Sequence, residues 1–336
     1  MKGQRTVTTW ASLGMAVLLA GCAATPEAPT VAAPPPPIPP RIYVANESGN
    51  SVSVIDAQSF AVLGTIDAKA SSTHDLTVTR DGRRVFATNL ASGKLSIIDA
   101  AAMETVATLY TGDRAHVVAL TNDNKQAWVA NIGDNNISVI DTETYRILGT
   151  IPAGKGTTGI TFSHDGRFAY VSNQGDKTVN VIDTSAHQII KTIPVGPNPH
   201  FLVVSPDGYV WGTNTGANDI YVIDPETNEK VATFEVGAKP QQIAFGFKGM
   251  QGPNAYITVG GLNKVIALSS DPKNLKIVDE IQVGEGPNGI WANPEGTRLY
   301  VGHDKSNDVR IIDSGASQVI ATVPVGRKPI RVVVSR

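Results

Sequence analysis

One pattern constrains this chain more than any other: a short motif returns about every 42 residues, seven times, along a sequence of 336 residues. Its first half opens on an aromatic and usually closes on Asn: Tyr43-Val-Ala-Asn46, Phe86-Ala-Thr-Asn89, Trp128-Val-Ala-Asn131, Tyr170-Val-Ser-Asn173 and Trp211-Gly-Thr-Asn214, with weaker copies at Tyr256-Ile-Thr-Val259 and Tyr300-Val-Gly-His303. The leading aromatics step by 43, 42, 42, 41, 45 and 44 residues. A second motif follows each copy, as in Val52-Ser-Val-Ile-Asp56, Ile137-Ser-Val-Ile-Asp141 and Val309-Arg-Ile-Ile-Asp313, and is degenerate only at Val265-Ile-Ala-Leu-Ser269. A fixed period of this length means that each repeat is one supersecondary unit, unable to bury its apolar face alone.

Each period holds four β-prone runs separated by turn residues. In the fourth these are Gly159–Phe162, Phe168–Ser172, Val179–Ile182 and Ile189–Ile193, with Asp165-Gly166 between the first two. Branched and aromatic runs bounded by Asp-Gly and Asx turns are hairpin chemistry, and no segment carries a helical period. Four strands per repeat and seven repeats predict an all-β fold: a seven-bladed β-propeller of four-stranded antiparallel blades over 41–336. No apolar run precedes Arg41, whereas Pro329-Ile-Arg-Val-Val-Val-Ser335 matches the first run of other periods, such as Pro199–Ser205. The C-terminal strand is therefore expected to complete the blade that begins at Arg41 and close the ring, leaving no open sheet edge.

The Tyr-Val-Ala-Asn and Val-Ser-Val-Ile-Asp copies, with the Val195-Gly196 and Pro206-Asp207-Gly208 units, resemble the YVTN-type seven-bladed propellers over essentially all of 41–336. The resemblance implies a fold rather than a function, because these motifs are structural. Blade six departs most: Val259 and Ser269 replace Asn and Asp, and Lys248–Pro253 is expected to lengthen a turn.

The N-terminus reads as an address. Lys2 and Arg5 precede eleven apolar residues, Trp10–Ala20, too few to span a bilayer and typical of a secretory signal. The stretch ends in Leu19-Ala20-Gly21-Cys22, which resembles the lipobox of bacterial lipoproteins. That resemblance implies a signal peptide over 1–21 and a membrane anchor through lipid on Cys22, with Ala23 and Ala24 favouring the outer membrane, facing the periplasm. Eight prolines within 23–40 follow. They make a spacer of polyproline type, roughly 50 Å long at ~3.1 Å per residue, so that 22–40 is a lipidated tether.

Composition narrows the function. A formal charge of −2 argues against a nucleic-acid partner. Cys22 is the single cysteine, which excludes disulfides, two-cysteine heme attachment, cysteine-based zinc sites and iron–sulfur clusters. The periodic Asp and Asn serve blade turns, since a residue demanded once per blade serves architecture. Gly149–Gly156 nearly matches a phosphate loop but lacks Ser or Thr after Lys155 and the helix beyond. No nucleophile elbow or zinc-protease helix is present.

Departures from the repeat carry more information. The residue one place into each inner strand reads His74, His116, Thr158, His200, Gln241, Asn288 and Ile330. These should line one channel mouth at one height, with His303 and Arg114 on the same face. Lys69, Lys155, Lys239, Arg327 and Lys328 there make a rim that attracts anions. The leading expectation is a monomeric, envelope-anchored binding or scaffold lipoprotein whose propeller face holds a protein or a small anionic ligand. Two alternatives use the same mouth: a lactonase-like hydrolase, or metal binding and delivery in which His74, His116 and His200 take zinc or copper. No cofactor is otherwise indicated.

Overall fold

The computed structural model describes residues 3–4, 6–11, 37–249 and 251–335. Cys22, the end of the signal segment and the tether as far as residue 36 lie outside the described residues. A compact unit runs Pro37–Arg336, and Ile38 packs against a core cluster shared by the first two blades.

The unit holds seven four-stranded antiparallel sheets, as the repeat predicts. Blade 1 is built from Pro329–Val334, Arg41–Asn46, Ser51–Asp56 and Val62–Asp67, in that order from the centre outward. The expected closure is thus observed: Val334 pairs with Ile42 and Val332 with Val44. The inner strands of blades 2 to 7 are Thr73–Val78, Ala115–Leu120, Thr157–Phe162, Pro199–Val204, Pro240–Lys248 and Pro287–Ala292.

Blades face each other, so the second and third strands of each are covered on both sides. That is why they read as near-continuous apolar runs rather than alternating ones. Trp128, Trp211, Tyr43, Tyr170, Tyr221 and Tyr256 are fully buried between blades. The outer strands are exposed on alternate positions.

The periodic polar residues hold the blades. Asp56 Oδ1 accepts the amides of Gln58 and Ser59, and Asp141 and Asp183 do the same in their turns. The Asn residues work differently from the turn role expected of them. Each reaches across its hairpin: Asn46 Nδ2 donates to Ser53 Oγ at 2.9 Å, Asn89 to Ser96 Oγ at 2.9 Å and Asn173 to Asn180 Oδ1 at 2.7 Å. Blade six also differs from expectation. Its first two strands are extended to nine residues each, Pro240–Lys248 and Gln251–Val259, so the extra residues lengthen a hairpin instead of a turn.

Candidate functional site at the channel mouth

The first pair of strands in every blade is offset by a β-bulge near the start of the inner strand: Thr73 faces Asn89 but Asp75 faces Thr88, and Pro199 faces Asn214 but Leu202 faces Gly212. A bulge leaves a residue outside the ladder and re-aims side chains. It also strands a backbone amide, which must find another acceptor. The threonine or serine of the aromatic motif supplies it. Thr88, Ser172, Thr213 and Thr258 accept the amides of Asp75, Gly159, Phe201 and Gln242 at 2.8–3.2 Å. The same hydroxyls bond the carbonyls of His116, His200, Gln241 and Asn288 on the next blade. In these four blades one hydroxyl therefore fixes the neighbour's mouth residue, whereas Ala45, Ala130 and Gly302 hold the equivalent positions in the other three.

His74, His116, His200, Gln241, Asn288 and Ile330 line a cavity of about 260 Å³ at the mouth, together with Glu47, Asp75, Gln242, Asp304 and Lys328. The three imidazoles meet. Ring centroids of His74 and His116 lie 4.1 Å apart, and those of His116 and His200 5.3 Å apart, edge to face. His116 and His200 touch across blade 4 because Thr158, between them in the ring, turns into its own blade and bonds Ser172 and Pro199. Thr158 is fully buried and stands outside the cavity lining, contrary to expectation.

Burial holds all three imidazoles neutral. It pushes His74 down to about 4, Glu47 opposing, pushes His116 well below its ordinary value, with His74 and His200 adding to the effect, and lowers His200. Each ring leaves its Nδ1 buried without a hydrogen-bond partner. Buried polar atoms are rarely left so, and each such atom calls for a partner such as water, an ion or a ligand.

Other expected site residues lie elsewhere. His303 is fully buried inside blade 7, with Nδ1 2.9 Å from Asp308 Oδ1 and Nε2 accepting the Gly284 amide at 3.1 Å. It replaces the repeat's structural Asn, whose partner five residues on is seen again in Asn214–Asp219 at 2.7 Å. Its ligand role is therefore corrected: it is fully buried within blade 7 and stands outside the mouth lining. Arg114 is exposed on the rim, in the left-handed conformation (φ 57°) just before its inner strand. Lys239 and Lys328 hold the equivalent positions in their blades, and Lys328 pairs with Glu47 at 2.7 Å. Among the described residues, no three His, Cys, Asp or Glu side chains are placed to hold one metal ion. The zinc or copper expectation therefore lacks the closed donor set that such a site needs.

Sequence reasoning missed the layer below. The third residue of each inner strand reads Asp75, Val117, Gly159, Phe201, Gln242, Gly289 and Arg331. Arg331 Nε lies 2.9 Å from Asp75 Oδ1, and its Nη1 donates to Gln242 Oε1 at 2.8 Å. Phe201 and Trp291 lie against the guanidinium, 5.2 and 5.4 Å from centroid to carbon. Asp75 also accepts the Val118 amide at 3.1 Å. Burial pushes the Asp75 carboxyl up, and Arg331 opposes it. This septum closes the floor of the mouth. The signal for it was one acid and one base in a column otherwise free of charge.

Fold and site together define a class: a seven-bladed propeller whose channel mouth presents neutral imidazoles above a charged septum. Comparison with known proteins gives the family. The Cytochrome D1 heme domain family matches residues 42–329, and the chain belongs to that family. No curated protein sequence matches. Several solved structures share the fold. Kuenenia stuttgartiensis hydrazine synthase is 20% identical, with 77% of this chain and 88% of that one covered and a TM-score of 0.70. A periplasmic gluconolactonase from Pseudomonas aeruginosa is 17% identical over 88% and 99%, with a TM-score of 0.71. A protein of unknown function from Desulfotomaculum acetoxidans is 16% identical over 88% and 99%, at 0.75. At these identities the likeness is one of fold.

Proposed function

We propose that this protein is an envelope-anchored ligand-binding lipoprotein, and that its ligand is a heme or similar metal-bearing tetrapyrrole presented to the channel mouth. The observation that carries this reading is the trio of neutral imidazoles, His116 buried and His74 and His200 half-buried, with unpartnered Nδ1 atoms. A free metal ion needs three or four protein donors, which the described residues do not assemble. A metal already held by a macrocycle would need only one or two further donors from the protein, and imidazole is a common one. His74, His116 and His200 are the residues that would hold it, and Arg114, Lys239 and Lys328 are cations available to its carboxylates. Heme supplies redox and small-ligand chemistry when bound. The chain's own part is to keep imidazole unprotonated, fix the height of His116 and His200 through the Thr88 and Ser172 hydroxyls, and set Arg331 and Asp75 beneath them. The family's own name supports the choice of group.

Titration of tag-free protein with hemin tests this. Saturable growth of a red-shifted Soret band is expected, lost in the His74→Ala, His116→Ala, His200→Ala triple variant. An equal response from the triple variant, folded by circular dichroism, refutes the reading.

A lactonase ranks second, supported by the gluconolactonase neighbour and by neutral bases at the mouth. A base held near 4, as His74 is, works poorly at neutral pH. Gluconolactone hydrolysis by the wild type that survives in the triple variant sinks this alternative as a mouth chemistry. The anchor is tested separately: the wild type should take up radiolabelled palmitate in a bacterial host and Cys22→Ser should not. Absence of label on the wild type removes the lipoprotein part and leaves the heme part standing.

A further inference from the structure

Below the septum the channel opens into a second cavity, about 510 Å³, twice the size of the mouth and within the range of small-molecule sites. It extends to the turns that follow the inner strands, where Asn122 and Asn293 line it. Phe162, Phe201, Phe245 and Trp291 stand on its walls among aliphatic side chains, and polar groups share the lining about equally. Of the seven mouth residues none reaches it; only Asp75 and Val117, and the Phe201 ring, border both spaces.

Among the described residues its one cation is Arg331, 8% exposed. A guanidinium carries five N–H groups. Nε faces Asp75 and Nη1 faces Gln242, while Nη2 has no hydrogen-bond partner among the described residues. Since Arg331 borders the lower cavity and not the mouth, the remaining donors face that cavity. The charge there is already balanced by Asp75. A carboxylate ligand would meet Asp75 as well as Arg331, and like charges at close range repel in a low-dielectric site. A neutral carbonyl oxygen accepts the free N–H without that cost, and aromatic walls favour a flat apolar body.

We propose that the lower chamber is a second binding site, for an uncharged, largely apolar ring compound that presents a carbonyl oxygen to Arg331. The hydroxyls of Thr77 and Thr161 are further polar groups on its wall. The site is separate from the mouth and independent of the heme reading.

Benzophenone, an uncharged aryl ketone that inserts into nearby C–H bonds on irradiation, tests the claim on full-length protein. Saturable labelling is expected on peptides containing 117–120, 201–204 and 243–245, competed by acetophenone and at least tenfold less well by benzoate. Ala119→Trp, which fills the chamber from blade 3, should cut labelling at least tenfold while the hemin response stays unchanged. Ala292→Phe does the same from blade 7 should the first variant fail to fold. No saturable label, label confined to other surfaces, or undiminished label in a folded filling variant overturns the site. Competition by benzoate equal to acetophenone overturns the ligand class.

Discussion

The two ends of the channel are built from the same seven strands yet present different side chains. The mouth draws on the second residue of each inner strand and collects His74, His116, His200, Gln241 and Asn288. The lower chamber draws on later residues of those strands and collects Val203, Ala244, Phe245 and Trp291. Near-identical backbone frames thus make an imidazole-rich cup and one lined by aromatic and aliphatic side chains around a single ion pair. The difference lies in what the fold demands at each height. At the mouth, the bulge and the cross-blade hydroxyl satisfy the backbone without using the second side chain, which is left free for function. Lower down the regular ladder resumes and the side chains pack. Between them the Arg331–Asp75–Gln242 septum makes two sites of one hole.

The harshest way to break the comparison is to remove the strand that carries Arg331. Deleting 329–336 takes away the inner strand of blade 1 and the septum together, and exposes the edges on both sides. Loss of cooperative melting, with aggregation, is the expected outcome; an unchanged thermal transition contradicts the role of closure.

Breaking the septum alone is milder. Arg331→Met leaves Asp75 buried without its counter-charge, and a buried partner so stranded costs about 3–5 kcal/mol. Adding Asp75→Leu should recover much of that loss, since replacing both partners by apolar groups is often near neutral. Denaturant melts of the two single variants and the double measure the coupling. Purely additive effects would mean that the pair does not act as a unit.

Acid separates the two ends. The mouth histidines are held neutral in the folded state, His74 near 4, against an ordinary value near 6.5. The unfolded chain binds protons as pH falls below about 6.5 while the folded chain does not. Stability should therefore be full above 6.5 and decline below it, by up to about 1.4 kcal/mol per pH unit for a histidine that stays neutral, as His74 does down to about 4. His303, lowered to about 4 by burial against the pull of Asp308, adds to the slope. The triple His→Ala variant should show a shallower decline across this window in pH-dependent melts, and a parallel decline would assign the slope to other groups. Heme binding should persist below pH 6.5 for the same reason.

The smallest effect is expected at His303→Asn. It restores the repeat residue in blade 7, where Asn214 beside Asp219 is the working precedent. Stability should change by less than about 1 kcal/mol and the hemin response not at all. A lost hemin response would return His303 to the site.

Much of this was legible in advance. Tyr43, Phe86, Trp128 and their successors marked the second strands, and Pro329–Ser335 identified its own place in blade 1 by likeness to Pro199–Ser205. The mouth column was legible too, because a repeat aligns equivalent positions. Thr158 and His303 were misplaced for one reason: alignment gives a position in the ring, but not which way a side chain turns. Thr158 is short enough to bond its own blade, and His303 can mimic an amide because an imidazole also offers a donor and an acceptor.

What the sequence by itself determined was the seven-fold architecture, its closure by the last strand, and the ring of residues available at the mouth. Those follow from periodicity and turn chemistry, which are local and repeat along the chain. Only the tertiary structure decided that His74, His116 and His200 meet, that Arg331 finds Asp75 and Gln242 across the channel, and that a second cavity lies beneath them. These contacts join residues up to 256 positions apart in the chain, Asp75 and Arg331 among them. They depend on how far each bulge rotates a side chain into a space only a few ångströms wide, and no local rule of sequence specifies that rotation.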